Sequence, residues 1–170
     1  MTTWVLSDTH FRDTNCIKFR EFPNLRQMEL RILDNCRRLI SPQDTVYLLG
    51  DLASSREGLN LIRSIKGTKK IVWGNHDTLP LHIYMDYFPD AQFRMWFKVK
   101  NVILSHVPVH SQELEYKGTF PHSCPPRYNV HGHVHQFSIE DDRYFNASVD
   151  VNNWGPVKLE SILAKWVLPT

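Results

Sequence analysis

The chain has 170 residues and a mass of 20.0 kDa, and we expect one domain over residues 1–170. Its 42% hydrophobic and 22% charged residues are typical of a globular protein and argue against extensive disorder. The net charge of +2 gives no electrostatic reason to expect a nucleic-acid partner. The nine histidines are the unusual feature of the composition, so their positions need an explanation.

Cysteine usage and the apolar runs indicate the compartment. Cys16, Cys36 and Cys124 are widely spaced and form no C-x-x-C pair, which disfavours a disulfide framework or a cysteine zinc site. The N-terminus lacks the basic region of a signal peptide, and no apolar run approaches the ~20 residues of a membrane span. We therefore expect a cytoplasmic protein that does not associate with membranes.

Strands and helices alternate in the first half of the chain. Short apolar runs predict strands at residues 3–7, 45–49 and 70–73. Between them lie two segments with apolar residues at helical spacing, one capped by Asn24 and the other by Ser54. This β-α-β-α-β order predicts a mainly parallel sheet covered by helices.

The second half of the chain is predicted to be largely extended. Apolar or alternating runs predict strands at residues 93–99, 102–104, 128–130, 145–151 and 157–163. A long polar loop with four prolines occupies residues 107–127.

Polar side chains follow five of these strands directly. They are Asp8, His10, Asp51, Asn75, His76, Asp77, His106, His133 and His135. Ligands of open α/β sheets bind beyond the carboxyl ends of the strands, so we expect these residues to converge. Residues i and i+2 of an extended chain point to one side. We therefore expect Asp8 and His10 to bind a metal ion together, and His133 and His135 to do the same.

Four imidazoles, two carboxylates and one amide oxygen of this set have the chemistry of metal ligands. The mixture suits Mn, Fe, Zn, Co or Ni and matches Ca or Mg poorly. Seven ligands exceed the needs of one tetrahedral ion but suffice for two ions that share a carboxylate. We expect two divalent transition-metal ions, with Mn preferred.

The ordered motifs resemble the calcineurin-like metallophosphoesterase superfamily. They read Asp8-Thr9-His10, Gly50-Asp51, Gly74-Asn75-His76-Asp77, His106 and Gly132-His133-Val134-His135. Together they are specific, whereas any one of them alone is weak. Residues 7–11, 44–51 and 146–151 are especially similar to the small bacterial and phage branch of predicted phosphoesterases. The resemblance implies an α/β fold in four αββα layers, with two packed mixed sheets flanked by helices and no cap domain.

The resemblance also implies a role for each motif residue. One ion would be held by Asp8, His10 and His135. The other would be held by Asn75, His106 and His133, with Asp51 bridging the two. His76 matches the general acid, Asp77 its orienting partner, and Asn15 a position beside the site.

Two more residues are considered from the sequence. Arg127, in the proline-containing loop, is a candidate for binding substrate phosphate. Asp150 is either a carboxylate that supports a ligating histidine or a turn residue, and the sequence does not separate these two roles.

Two departures from the family pattern bear on the substrate. Arg12-Asp13 stands where the small branch usually has Gly-His. Leu52-Ala53 follows Asp51, where protein-phosphatase members carry Asp-Arg-Gly, which disfavours a phosphoprotein-specific enzyme.

We expect an enzyme that hydrolyses small phosphate mono- or diesters, with hydroxide generated at two metal ions and His76 as the general acid. An uncapped site favours diesters. The alternatives are a nuclease or cyclic-nucleotide phosphodiesterase, for which nucleic acid is a substrate only, and a non-catalytic protein-binding scaffold. The complete set of ligand positions disfavours the scaffold. The sequence predicts no oligomeric state.

Overall fold

The computed structural model of the protein describes residues 1–115 and 127–166. The strands are β1 (Thr3–Leu6), β2 (Thr45–Leu49), β3 (Thr68–Val72), β4 (Gln92–Arg94), β5 (Trp96–Val99), β6 (Val102–Ser105), β7 (Tyr128–His131), β8 (Tyr144–Asn146) and β9 (Val157–Lys158). The helices are α1 (Leu25–Leu39), α2 (Arg56–Ser64), α3 (Leu81–Tyr87) and α4 (Leu159–Ala164). Most of the predicted proline-containing loop, including Lys117, His122 and Cys124, lies outside the described residues.

The strands form two mixed sheets. The first has the order β4-β3-β2-β1-β9, and only β9 runs antiparallel to its neighbour. The second has the order β5-β6-β7-β8, and only β5 is antiparallel. Helices α1 and α2 connect parallel strands, as a crossover between such strands requires. The α/β class with two mixed sheets and flanking helices is confirmed, and the described ranges contain no cap domain.

The first sheet is buried on both faces, and its apolar side chains divide between two cores. Val5 and Leu6 are consecutive and fully buried, but they point to opposite faces of β1. Leu6 packs with residues of α1, α2 and α3, including Met28. Val5 lies in the core that also holds Leu104 of the second sheet. This packing fixes the two sheets against each other and aligns the ends of their strands.

The helix starts follow local hydrogen bonding. Helix α1 begins after Asn24 as predicted, because the Asn24 side chain accepts from the backbone N–H of Gln27 at 3.0 Å. Helix α2 begins one residue later than predicted. Ser55 caps it by accepting from the N–H of Gly58 at 3.2 Å, whereas the Ser54 hydroxyl donates to the Arg12 carbonyl at 2.7 Å.

Two of the predicted strands in the second half are shorter than expected. The run at 93–99 is divided at Met95, where the chain passes from β4 in the first sheet to β5 in the second. The strand predicted at 145–151 ends at Asn146. Beyond it, the Asn146 side chain accepts a hydrogen bond from the Ser148 N–H, and the Ser148 side chain accepts one from the Asp150 N–H. A 3₁₀ turn therefore replaces the strand.

The strand predicted at 157–163 is wrong beyond its first two residues. Only β9 pairs with the sheet, and the remainder forms α4. Leu159 and Ile162 are both buried, which is helical spacing, although the apolar pattern of this segment also alternates. Helix α3 was not predicted at all. No helix within the described ranges is long and apolar enough to cross a membrane.

Asp44 joins the N-terminus to the turn before β2. Its carboxylate accepts hydrogen bonds from the Ser41 N–H at 3.0 Å, the Thr2 N–H at 2.7 Å and the Trp4 indole N–H at 3.0 Å. These three donors lower the pKa of Asp44 to about 2. Because the pKa is lower in the fold than in the unfolded chain, the carboxylate stabilises the fold fully above the unfolded value. That stabilisation is lost as the pH falls through the folded pKa.

We predict that Asp44→Asn is less stable than the wild type at pH 7 and that the difference shrinks as the pH falls from about 5 towards 2. Urea unfolding of both proteins at pH 7 and pH 3 measures it. Asp34→Asn is the matched control, since Asp34 is exposed and its one partner among the described residues is exposed Arg37. Equal stabilities of the wild type and Asp44→Asn at pH 7 would contradict the assignment.

Candidate metal centre

The predicted ligand residues meet where the carboxyl ends of the two sheets lie side by side. In one group, Asp8, His10 and His135 offer ligand atoms that all lie within 4.8 Å of one another. Asp51, His106 and His133 form a second group by the same measure. Asn75 joins the second group.

Asn75 contributes its amide oxygen to this second group. Asn75 Oδ1 lies 2.8 Å from His106 Nε2 and 2.9 Å from His133 Nδ1. Three side chains from three different strand ends therefore point their polar atoms at one another.

Asp51, a member of the second group, also faces the first group. Its Oδ2 is 3.5 Å from His10 Nε2, and its Oδ1 is 3.4 Å from His106 Nε2. The side chain is 1% exposed. Each carboxylate oxygen therefore faces a different group, which is the arrangement that a bridging ligand needs.

The backbone that carries these residues is strained. Asp8, His10, Asp51, His133 and His135 all have left-handed φ values, between 47° and 71°. Such a conformation costs a non-glycine residue about 1–3 kcal/mol, and it persists where surrounding contacts hold it, often at functional sites. Here the Asp8 N–H donates to the Gly50 carbonyl at 3.1 Å, and the His133 N–H donates to the Asp8 carboxylate at 3.0 Å.

The left-handed backbone corrects the prediction from extended-chain geometry. Asp8 and His10 do share a group, but His133 and His135 fall into different groups. Neither pair is extended, so the i and i+2 argument does not apply to them. The division of His133 and His135 is the one that the family resemblance implies.

Three histidines are held at Nδ1, so their Nε2 atoms are available to a metal. His106 Nδ1 donates to the Leu49 carbonyl at 2.8 Å, and His10 Nδ1 donates to the Asp13 carboxylate at 3.1 Å. His135 Nδ1 donates to the Asp150 carboxylate, also at 3.1 Å. A hydrogen bond at one ring nitrogen orients the other and increases its basicity, as in the histidines of metal sites.

Two buried polar atoms of the centre have no hydrogen-bond partner among the described residues. In the described part of the chain, His10 Nε2 and Asp51 Oδ2 are buried and have no hydrogen bond. Burial lowers the pKa of His10, which favours the neutral ring that binds a metal. A divalent cation would satisfy both atoms at once, so the residues present fit a metal centre.

Two glycines allow the loops to approach this closely. A Cβ on Gly74 would collide with the backbone N of Asp51, and one on Gly132 would collide with Ser7 Oγ and lie 2.6 Å from Asp8 Oδ2. Neither position tolerates a side chain without moving a predicted ligand.

Asp77 does not orient His76, so that expectation is corrected. Its Oδ2 accepts from the backbone N–H groups of Asp51 and Gly74, each at 2.9 Å. Its Oδ1 accepts from the Leu52 N–H and the Tyr84 hydroxyl, also at 2.9 Å. The buried carboxylate is fully used in holding the two loops together. Adjacency in the sequence was misleading here, because Asp77 directly follows His76 but its side chain is buried.

His76 lies at the mouth of the centre. Its backbone N–H donates to Asp51 Oδ1 at 2.8 Å, while its ring is exposed, with its centroid 5.3 Å from that of His10. The ring lines a cavity together with His10 and His135. The His76 ring can therefore contact a molecule that is bound in the cavity.

The two predicted substrate-binding residues are placed differently. Asn15 lines the same cavity, and its side-chain oxygen accepts from Lys18 Nζ at 3.2 Å. Arg127 stands just before β7, where its N–H donates to the Asn101 carbonyl at 2.7 Å. The metal centre lies beyond the other end of β7, past about 13 Å of strand. The structure therefore does not bring Arg127 to the site.

Arg20 is a site residue that the sequence analysis missed. Its guanidinium pairs with Asp150 in two hydrogen bonds, Nε to Oδ1 at 2.8 Å and Nη2 to Oδ2 at 2.6 Å, and Nη2 also donates to the Asp8 carbonyl at 2.7 Å. The Arg20 side chain is 1% exposed. Its segment carries no motif, and the burial that distinguishes it is visible in the structure and not in the sequence.

The contacts of Asp150 decide between the two roles left open for it. Asp150 accepts from His135 and from Arg20, so it supports a predicted ligand and is not merely a turn residue. Burial by itself would raise the pKa of Asp150, but the hydrogen bonds from His135 and Arg20 lower it well below its usual value. The carboxylate that holds His135 is therefore ionised.

We predict that Arg20→Gln weakens binding of one of two Mn²⁺ ions by about 10–100-fold, because the carboxylate that orients His135 loses its fixed partner. Calorimetric titration and metal analysis of the dialysed protein measure this. Arg20→Lys keeps the charge without the two-point geometry and should lie between the wild type and Arg20→Gln.

Arg143→Gln is the matched control for that experiment. Arg143 makes a similar two-point pair with Asp141, but this pair is partly exposed and remote from the centre. Its removal should leave both Mn²⁺ affinities unchanged. Two wild-type affinities in a folded Arg20→Gln protein would show that Arg20 does not act on the metal centre.

Comparisons with known proteins agree with this architecture. Residues 1–161 match the calcineurin-like phosphoesterase superfamily domain. The uncharacterized protein MJ1445 of Methanocaldococcus jannaschii is 27% identical over 173 residues, which cover 94% of this chain and 88% of that protein. The crystal structure of the protein of unknown function AQ665 from Aquifex aeolicus superposes with a TM-score of 0.72 and 25% identity, over 98% of this chain and 99% of that one. Since the match to the superfamily domain extends over nearly the whole sequence, the chain belongs to the calcineurin-like phosphoesterase superfamily.

Proposed function

We propose that the protein is a metal-dependent phosphoesterase that hydrolyses small phosphate mono- or diesters, with diesters preferred. The observation that supports this most strongly is the buried Asp51 carboxylate between two histidine groups. Its Oδ2 and the facing His10 Nε2 both lack a hydrogen-bond partner among the described residues. The family to which the chain belongs supports the same class of reaction.

We assign the metal ligands from the two groups. Asp8, His10 and His135 would hold one divalent ion, and His106, His133 and Asn75 would hold the other, with Asp51 available to both. When bound, such ions supply Lewis acidity that activates water and offsets the charge on the phosphate oxygens. The mixed nitrogen and oxygen ligands suit Mn best, with Fe, Zn, Ni or Co as alternatives.

His76 is the proposed general acid. Its exposed ring lines the cavity beside His10 and His135, so it can reach an ester oxygen held there. A protonated imidazole in this place can give a proton to a leaving alkoxide. Asp77 acts on this step only indirectly, by fixing the loop on which His76 stands.

The surroundings of the centre favour a small ester over an extended nucleic acid. Among the described residues that line the cavity, Arg20 is the one permanently cationic side chain, and it is already paired with Asp150. A long polyanion would need several cationic contacts along its backbone. The lack of a cap over the described part of the site leaves room for the second ester group of a diester.

The substrate class is tested by turnover of bis-p-nitrophenyl phosphate, p-nitrophenyl phosphate, 2′,3′-cyclic nucleotides and single-stranded DNA. We predict Mn²⁺-dependent hydrolysis that is fastest on bis-p-nitrophenyl phosphate, is abolished by chelation and falls to background in Asp51→Asn. Fastest turnover of DNA would favour the nuclease. A folded protein that binds no Mn²⁺ and hydrolyses none of the four would support the scaffold instead.

We predict that His76→Asn lowers kcat by about 10²–10⁴-fold on an ester with an alkyl leaving group and by much less on a p-nitrophenyl ester. A good leaving group departs without a proton, so only the alkyl ester depends on the acid. The two-ion Mn²⁺ stoichiometry should persist. His82→Asn, at an exposed position on α3, is the matched control. Undiminished turnover of the alkyl ester would show that His76 is not the acid.

A further inference from the structure

A cavity of about 490 Å³ extends from the metal centre over a largely apolar wall. Its inner part is formed by His10, His76, His133 and His135. Its outer part is formed by Asn15, Cys16, Phe19, Val134, Gln136 and Phe137. The volume lies within the usual range for small-molecule sites, about 300–1,000 Å³. A molecule held at the centre would therefore extend along this wall.

The outer wall presents no charge to such a molecule. The side chains of the outer part are neutral amides, apolar groups and a thiol. Burial raises the pKa of the Cys16 thiol to about 12, so it stays protonated. Three charged residues also line the cavity, but each is already paired, Arg20 with Asp150 and Asp13 with His10. The organic part of a bound ester would thus meet a surface without an unpaired charge.

Two aromatic rings stand exposed on this wall. Phe19 is 81% exposed and Phe137 is 68% exposed, although both are among the most apolar side chains. They belong to different segments, one in the 3₁₀ turn Cys16–Phe19 and the other just after His135. Exposed aromatic side chains that border a cavity are typical of ligand-binding surfaces.

Both rings are carried by backbone that is tied to the metal centre. Phe19 directly precedes Arg20, whose guanidinium is bonded to Asp150. The Asn146 side chain donates to the carbonyls of His135 and Phe137, at 2.7 and 3.0 Å. The backbone on which the two rings stand is therefore held beside the centre by hydrogen bonds.

We propose that this wall is a subsite for a planar, uncharged aromatic group of the substrate, which packs on Phe19 and Phe137 while its phosphate lies at the metal centre. The inference rests on the proposed function. It narrows the substrate class to phosphate esters that carry an aryl or heteroaryl ring close to phosphorus. A substrate with a polyanionic organic part finds no unpaired cationic side chain on this wall.

Binding of non-hydrolysable phosphonates tests the subsite independently of turnover. Calorimetry on the Mn²⁺-loaded protein compares phenylphosphonate, cyclohexylphosphonate and methylphosphonate, which share one head group. We expect phenylphosphonate to bind about tenfold more tightly than methylphosphonate, with cyclohexylphosphonate between them. Phe19→Ala and Phe137→Ala should each remove about three- to tenfold of the phenyl preference and leave the methylphosphonate Kd unchanged.

Trp96→Ala is the matched control, because Trp96 is an exposed aromatic residue on β5 that does not line this cavity. It should leave all three Kd values unchanged. Equal Kd values for the three phosphonates, unaltered in the phenylalanine variants, would overturn the subsite while Mn²⁺-dependent turnover still upheld the proposed function. Phenylalanine variants that change only the oligomeric state in sedimentation would also overturn it, in favour of a contact between copies of the chain. No phosphonate binding and no turnover would overturn both proposals.

Discussion

The buried carboxylate of Asp51 is the constraint on which the rest of the site depends. It is almost fully buried. One of its oxygens lies 3.5 Å from His10 Nε2 and the other lies 3.4 Å from His106 Nε2. Burial by itself would raise its pKa, but the neighbouring His106 and the His76 backbone N–H lower it below its usual value. An ionised carboxylate in such a place is costly unless a cation joins it. The surrounding residues supply ligand atoms that such a cation would need.

The supports of the centre extend outward from this carboxylate in two directions. On one side, Asp77 accepts from the backbone of both Asp51 and Gly74, so it joins the loops that follow β2 and β3. On the other side, Arg20 and Asp150 fix His135 to the backbone of Asp8. These supports hold residues in left-handed conformations that they would not adopt alone. The strain is local, and the hydrogen bonds that offset it lie within the site.

The sequence predicted the parts of the fold in which one pattern dominates. The buried runs of β1, β2 and β3 and the capped stripe of α1 each have one consistent interpretation. Residues 157–163 do not, because their apolar positions fit both a strand and the helix that forms. The segment at 93–99 alternates correctly but changes sheet at Met95, which no periodicity reveals.

In the candidate site, too, the sequence predicted only what a clear local pattern carries. Its ligand-type residues were found because they follow strand ends, and the ordered motifs indicated how they divide between two groups. Extended-chain geometry failed for His133 and His135, since their conformation is left-handed. Arg20 lies far in sequence from Asp150, and Arg127 is near the motif but at the wrong end of β7. Such placements depend on tertiary packing and cannot be inferred from local spacing.

One measurement addresses the central claim directly. A crystal of the protein grown with Mn²⁺, with diffraction recorded above and below the manganese absorption edge, shows where manganese binds and which side chains hold it. We predict two anomalous peaks about 3.5–4 Å apart, with the Asp51 carboxylate between them and histidine ligands at each. A single peak that Asp51 does not contact, or the absence of any peak between the two groups, would contradict this prediction.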